Sequence, residues 1–432
     1  MPKYSLTTES SVSQRRGQSA CQMTGRINWP APDEPLGVSE GETLWVLLPT
    51  GQRSTGEWID DTLRTRAEEQ GLLDRLNQVG AFPRQRIEVV RGPNADGVVN
   101  EMFYRRGWTD GLPIVPPTTN RVDGMLRAGG QPRNKVLGEA EPLKGVVTIE
   151  KVAINAVMAG CEDIHMPVVM AATEALLDPA FNLRGVQTTD ENVTPLLMLS
   201  GPLAKTLHMN SRFGALGPGW RANGAIGRAV RLIMHNLGGG WPAAVAFAGL
   251  GQPGRYSLCL AEDDAFNPWE SLREELGFTV DDSVLVVQRA ESVINVTGGL
   301  DDIATVMASA TSAFSRLHGG QVTVILAPHI AKVLADEGLS KADVKTYLHE
   351  HGRCTAADFE NSWLPTRLAG KTKWPAWVKA GVANNRVPAV ESPDDITIVV
   401  AGGDIPIPQC AYIPTWGFPP CRIAKKIEQL GI

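Results

Sequence analysis

Ser283-Val284-Leu285-Val286-Val287-Gln288, Val322-Thr323-Val324-Ile325-Leu326 and Ile396-Thr397-Ile398-Val399-Val400 are the runs that decide the fold class. Each is apolar, rich in β-branched residues and of strand length. Around them the spacing predicts helices over 301–317, 329–336 and 340–351. Strands alternating with helices favour crossover connections and parallel pairing. The expectation is an α/β chain of mixed, largely parallel sheets with helical layers, in two or three subdomains.

Working outward, Pro195-Leu196-Leu197-Met198-Leu199 reads as another buried strand. Thr148 is placed to cap a helix that ends at Gly160, and Pro167 sits in the first turn of a helix reaching Leu177. Residues 220–237 have long-helix spacing, with Ile226, Val230 and Ile233 as the inner stripe. Thr43–Leu48 and Ile87–Val90 read as strands flanking a helical pattern from Trp58 to Leu76. The organisation expected is a loosely ordered segment 1–22, a small α/β unit 23–106, a central region 107–282, and a C-terminal α/β region 283–432 with a Pro-rich tail. Within the central region, 107–147 reads as an extended connector with one short helix near 118–128.

Composition narrows the function classes. The 432 residues are 43% hydrophobic and 20% charged, which is globular rather than disordered. A formal charge of −6 with dispersed Lys and Arg argues against nucleic acid as a partner. No apolar run reaches the length of a membrane span. Six cysteines, at 21, 161, 259, 354, 410 and 421, form no Cys-x-x-Cys pair and are too sparse for a secreted disulfide framework. Residues 1–22 lack the apolar stretch of a signal peptide. Together these predict free thiols in a reducing, cytoplasmic setting, and a homo-oligomer is the default for a metabolic protein of this size.

The leading candidate for chemistry is Gly160-Cys161-Glu162-Asp163-Ile164-His165-Met166-Pro167. Cys161 falls on a helix-to-helix junction, the helix that follows points its amino end toward it, and His165 is close enough to exchange a proton. Against this, unpaired cysteines commonly fill cores, and flanking acids raise a thiol's pKa. Gly214-Ala215-Leu216-Gly217-Pro218-Gly219 leads into a helix carrying Arg221, Asn223 and Arg228, a pattern that offers N–H groups and guanidiniums to an anion, with Gly217 and Gly219 supplying backbone. Thr188 and Thr189, in Gln187-Thr188-Thr189-Asp190, and Glu262 at a strand end are weaker additions.

Two tempting motifs are set aside. Gly249-Leu250-Gly251-Gln252-Pro253-Gly254 matches a dinucleotide fingerprint in form, but Pro253 interrupts it and a strand-like Tyr256–Leu260 follows where a helix must begin. His349 and His351 are two residues apart and face different sides of a helix, so with Cys354 they make a poor metal set. Neither a metal nor a cofactor is predicted.

Four phrases together resemble a poorly characterised bacterial family found beside, or fused to, proteins bearing a Sec/Cys-Gly-Ser-Cys motif. They are Gly107-Trp108-Thr109-Asp110-Gly111-Leu112-Pro113 running to Thr118, Val152–Cys161, Arg221-Ala222-Asn223 with Ile226-Gly227-Arg228-Ala229, and Ser340-Lys341-Ala342-Asp343-Val344. The resemblance spans roughly 100–402 and implies thiol or selenol redox chemistry. This chain has no such motif, so the resemblance implies a thiol/selenol partner protein carrying that half. The tail with Cys410 and Cys421, which could pair in a redox cycle or either of which could approach Cys161, departs from the family pattern.

The expectation is a thiol-dependent reductase or lyase that cleaves a carbon–heteroatom bond in a small anionic metabolite. Cys161 is its nucleophile or redox thiol, His165 its proton donor, and Arg221, Asn223, Arg228 and Gly217–Gly219 hold the anion. The alternatives are a non-catalytic partner subunit or binding module of a redox protein, and a cofactor-free hydrolase using Glu262 or Asp190.

Overall fold

The computed structural model describes residues 42–49, 87–92, 94–309, 313–363, 365, 370–417 and 421–428. The expected segment 1–22, the helix over 58–76 and Cys21 lie outside the described residues. The strands are β1 (Glu42–Leu47), β2 (Ile87–Gly92), β3 (Val136–Ala140), β4 (Gly145–Thr148), β5 (Thr194–Ser200), β6 (Cys259–Ala261), β7 (Val284–Ala290), β8 (Ile294–Thr297), β9 (Val322–Leu326), β10 (Arg353–Cys354), β11 (Val387–Pro388), β12 (Ile396–Val400), β13 (Gln409–Ile413) and β14 (Ile423–Lys426). Helices of eight residues or more are α1 (Ala95–Arg105), α2 (Thr119–Gly129), α3 (Ile149–Ala159), α4 (Met166–Leu176), α5 (Arg221–Asn236), α6 (Leu300–Met307), α7 (Pro328–Asp336), α8 (Lys341–His351) and α9 (Ala376–Ala383).

Two four-stranded sheets, β14-β7-β5-β6 and β12-β9-β13-β8, form the centre. Their strands are apolar on both faces, and the period of two sorts the side chains. Leu196, Met198, Val284 and Val286 of the first sheet share one cluster with Ile325, Val399, Ala411 and Ile413 of the second. The alternate residues Leu197, Leu199, Leu285 and Val287 pack outward against α3, α4 and α5. Val322, Val324, Ile396 and Ile398 pack outward against residues of α6, α7 and α8. The result is four layers: helices, sheet, sheet, helices. Gln288 sits on the shared inner face, donating to Thr397 Oγ1 at 3.1 Å and accepting from Thr323 Oγ1 at 2.6 Å, so this buried amide is satisfied across the two sheets.

The α/β class stands, but the weighting toward parallel pairing is corrected. Among the described residues only β12–β9 and β5–β6 run parallel, and the other ladders are antiparallel. The 282/283 boundary is also crossed. β7 pairs with β5, and β14 returns from the tail to pair with β7, so the first sheet draws on both expected regions. A strand's apolar pattern does not encode which neighbour it joins. The connector 107–147 contains α2 as expected, and also the hairpin β3–β4, whose glycines and prolines masked its strand character. No helix among the described residues is long and apolar enough to cross a membrane.

α5 positions the candidate sites. It lies against α3 and above β6, with Ile226, Val230 and Ile233 buried as the spacing predicts. Asn236 near its end donates to Asn155 Oδ1 of α3 at 2.7 Å and to the Trp108 carbonyl at 3.0 Å. These bonds hold α3, α5 and the 107–113 loop in one arrangement.

Candidate functional site

The Cys161 junction forms from the caps that its sequence requires. Thr148 Oγ1 accepts the Lys151 N–H at 3.3 Å to open α3, and Gly160 closes it at φ 89°, a left-handed turn that suits glycine. The Cys161 N–H then returns to the Ala156 carbonyl at 3.0 Å. The thiol is half-buried against the core. Burial pushes its pKa up, the neighbouring Cys259 thiol and Glu162 add to the rise, and Arg228 only partly opposes it. The direction is opposite to that expected of a low-pKa thiolate, because burial is the largest cause.

His165 does not partner the thiol. It is buried, and its Nδ1 accepts the Glu162 N–H at 3.0 Å within its own 3-10 turn. Burial holds its pKa down. No hydrogen bond joins it to Cys161 among the described residues. Cys259, which the sequence reading passed over, lies near Cys161 instead, itself buried with its thiol pushed up to about 12.

The residues assigned to an anion at the start of α5 are largely spent on the protein. The Gly217 N–H donates to the Gly214 carbonyl at 2.8 Å. Gly219, at φ 122°, lies in an open turn. Asn223 is buried, accepting from the Asn210 N–H at 2.8 Å and donating to the carbonyls of Asn210, Ala215 and Cys259. It ties the 210–215 loop and β6 to α5 and has nothing left for a ligand. Arg228 makes a bidentate pair with Asp110, at 2.7 and 2.9 Å, and also donates to the carbonyls of Leu112 and Pro113. It locks the 107–113 loop onto the helix. Arg221 is exposed and pairs with Glu162.

The remaining candidates are dispersed. Thr188 Oγ1 donates to the Arg184 carbonyl at 2.9 Å, and Thr189 Oγ1 accepts the Glu191 N–H at 3.2 Å. Asp190 is exposed, its carbonyl accepting the Gly249 N–H. Glu262 is buried and its carboxylate is saturated: Ser200 Oγ donates at 2.5 Å, the Leu272 N–H at 2.9 Å and Asn267 Nδ2 at 3.1 Å. Burial raises its pKa, but every partner is structural. Cys410 belongs to the outer core of the second sheet and Cys421 to the core of the first, so the redox pairing considered for the tail is not formed. All five described cysteines are free thiols.

A different constellation does come together. A cavity of about 600 Å³ opens beside the second half of α5, lined among others by Asp110, Arg231, His235, Pro242, Leu250 and Arg255. Arg231 is buried, donating from Nε to the Arg255 carbonyl at 2.6 Å and from an NH2 group to Thr194 Oγ1 at 3.1 Å. Those are neutral acceptors, and Asp110, whose charge acts on Arg231, is already bidentate with Arg228. The Arg255 guanidinium has neither hydrogen bond nor ion pair among the described residues, and its Nε is sealed from solvent without an acceptor. Burial and the neighbouring Arg255 pull Arg231 down to about 9, and burial lowers Arg255 as well. His235 is 9% exposed, stacked on Trp241 at 4.8 Å, with no side-chain hydrogen bond among the described residues. Burial, then the charges of Arg231 and Arg255, hold it well below its ordinary pKa, so it is neutral.

Two cations thus line one cavity, Arg231 buried and Arg255 half-buried, with no acid free to pair with them among the described residues, and an anion bound there would balance them. The signal for it was present. Residues 228, 231 and 235 fall on one face of α5, and α5 contains no acidic residue to pair with its cations. The loop that walls the cavity is the discarded Gly-x-Gly-x-x-Gly stretch, which positions Arg255 rather than a dinucleotide.

Comparison with protein-family models, curated proteins and solved structures found no match for this chain.

Proposed function

We propose that the chain is an enzyme of small-molecule metabolism whose substrate is a small anion bound between Arg231 and Arg255. The observation that carries this reading is Arg255, which lines a metabolite-sized cavity without a counter-ion among the described residues. Arg255 is half-buried with its Nε sealed, Arg231 is fully buried, and a guanidinium is shaped to take a carboxylate or phosphate in a bidentate grip. His235 adds a neutral imidazole in the same cavity, a group that can hydrogen-bond the ligand there.

The test is thermal melting against increasing benzoate or inorganic phosphate at constant ionic strength, with chloride as the control. A saturable rise in Tm that disappears in Arg255→Gln is expected, because a ligand bound only by the folded state stabilises it by mass action. No saturable rise with either anion overturns the reading.

A second reading, thiol chemistry at Cys161, draws on the proximity of Cys259 and Arg228 to that thiol. It requires a conformational change that rehydrates Cys161. Rapid alkylation of Cys161 in the folded protein, quickened by an added substrate, is its signature.

A further inference from the structure

We propose that the anion is a carboxylate carrying an oxygen on the neighbouring carbon, a hydroxy or oxo acid, with its carboxylate on Arg231 and Arg255, its oxygen on His235 and an apolar body against the rim. This rests on the preceding reading, that the cavity binds an anion, and adds what the rest of the cavity asks of that anion.

His235 narrows the choice. Its Nδ1 is sealed from solvent and unpartnered, so the part of the ring open to the cavity carries Nε2. A sealed N–H with no acceptor is the rarer and costlier orphan, so the proton belongs on Nε2. The cavity then presents Nε2–H beside two guanidiniums, all of them donors. The charged groups facing the ring are Arg231 from α5, Arg255 from the 249–256 loop and Asp110 from the 107–113 loop, and Asp110 is held by Arg228. A ligand that meets these groups needs an oxygen acceptor next to its carboxylate. An ammonium group at that position meets two guanidiniums and a donor hydrogen, and is repelled.

The rim supplies the rest. Pro242, Ala246, Ala248 and Leu250 are apolar, and Tyr256 adds an aromatic ring. Leu250 is 91% exposed at the mouth, between Gly249 and Gly251, with Gly251 at φ 74°. An apolar side chain held in water at the opening gains by covering an apolar ligand body.

Four phenyl acids test this on the intact full-length protein by isothermal titration calorimetry: mandelate, phenylglyoxylate, phenylacetate and phenylglycine. Mandelate and phenylglyoxylate are expected to bind roughly tenfold more tightly than phenylacetate, the worth of one added hydrogen bond in a desolvated site. Phenylglycine is expected to bind more weakly than phenylacetate. In His235→Phe, which keeps an aromatic ring against Trp241, mandelate falls to the level of phenylacetate while phenylacetate itself is unchanged. If phenylacetate matches mandelate in the unaltered protein and both are lost in Arg255→Gln, the anion site stands and the assignment of the second oxygen is overturned. If none of the acids binds while phosphate still raises Tm, the hydroxy- or oxo-acid assignment is overturned and the anion site stands; if phosphate also fails, the anion reading itself has failed. The comparison in the unaltered protein needs no variant, so poor folding of His235→Phe leaves the proposal open to refutation.

Discussion

The two halves of α5 carry the same kind of residue and do different things with it. At the amino half, Arg221 pairs with Glu162, Asn223 spends its amide on backbone groups, and Arg228 grips Asp110. At the carboxyl half, Arg231 bonds only to neutral acceptors and His235 faces a cavity that it shares with Arg255 of the 249–256 loop, whose side chain has no hydrogen bond among the described residues. The first half builds the protein and the second is left able to bind. A polar residue is available to a ligand only where its own fold has not used its hydrogen bonds and its charge.

The largest effect that would break this comparison is at Asp110. Asp110→Asn leaves Arg228, whose side chain is 16% exposed, without its countercharge. Breaking such a pair costs on the order of 3–5 kcal/mol. Urea unfolding measures it, and a loss below about 1 kcal/mol means the pair is not structural. Asn223→Ala comes next. It orphans backbone groups of the 210–215 loop and β6, and about 2 kcal/mol of lost stability is expected by the same measurement.

Cys161 should react slowly. Its thiol is pushed up by burial, so alkylation at about pH 8 should run at least tenfold slower in the folded protein than in urea, followed by mass spectrometry. Equal rates contradict the desolvated thiol described above.

Four histidines contribute to the acid limb, opposed by carboxyls such as Glu291, whose pKa burial raises to about 8 and which adds stability as pH falls. The pKa of His235 lies below that of the unfolded chain, about 6.5, so the unfolded state binds the proton first. Its contribution to stability is intact above that value and is lost as pH falls through it. His165 and His349 are lowered in the same sense, and His318 to about 4. Each steepens the loss by up to about 1.4 kcal/mol per pH unit. His235→Gln should flatten the limb by one such share, read from urea midpoints between about pH 6.5 and 5, whereas an unchanged slope places that ring in ordinary water. The smallest effect belongs to Arg221→Ala, an exposed pair that contributes less than about 1 kcal/mol. A larger loss there would erase the contrast between paired surface charge and unpaired cavity charge.

Much of the fold was legible. Val322–Leu326 and Ile396–Val400 emerge as strands over exactly those residues, and the caps at Thr148 and Gly160 bound α3 as expected, because these signals are local. The Ser340 phrase is likewise a helix cap, with Ser340 Oγ accepting the Asp343 N–H at 3.1 Å. The site was legible only in part. Cys161, His165 and Arg228 were singled out by residue type, and the structure commits Arg228 to Asp110, over a hundred positions away, and His165 to Glu162.

By itself the sequence determined the long helices, their caps and the most apolar strands with the period-two faces that let two sheets share a core, since each depends on residues a few positions apart. Only the tertiary structure decided which strands pair, which thiols lose water, and which cations are left without partners. Those outcomes depend on desolvation and on acceptors delivered from distant parts of the chain, and no local pattern carries them.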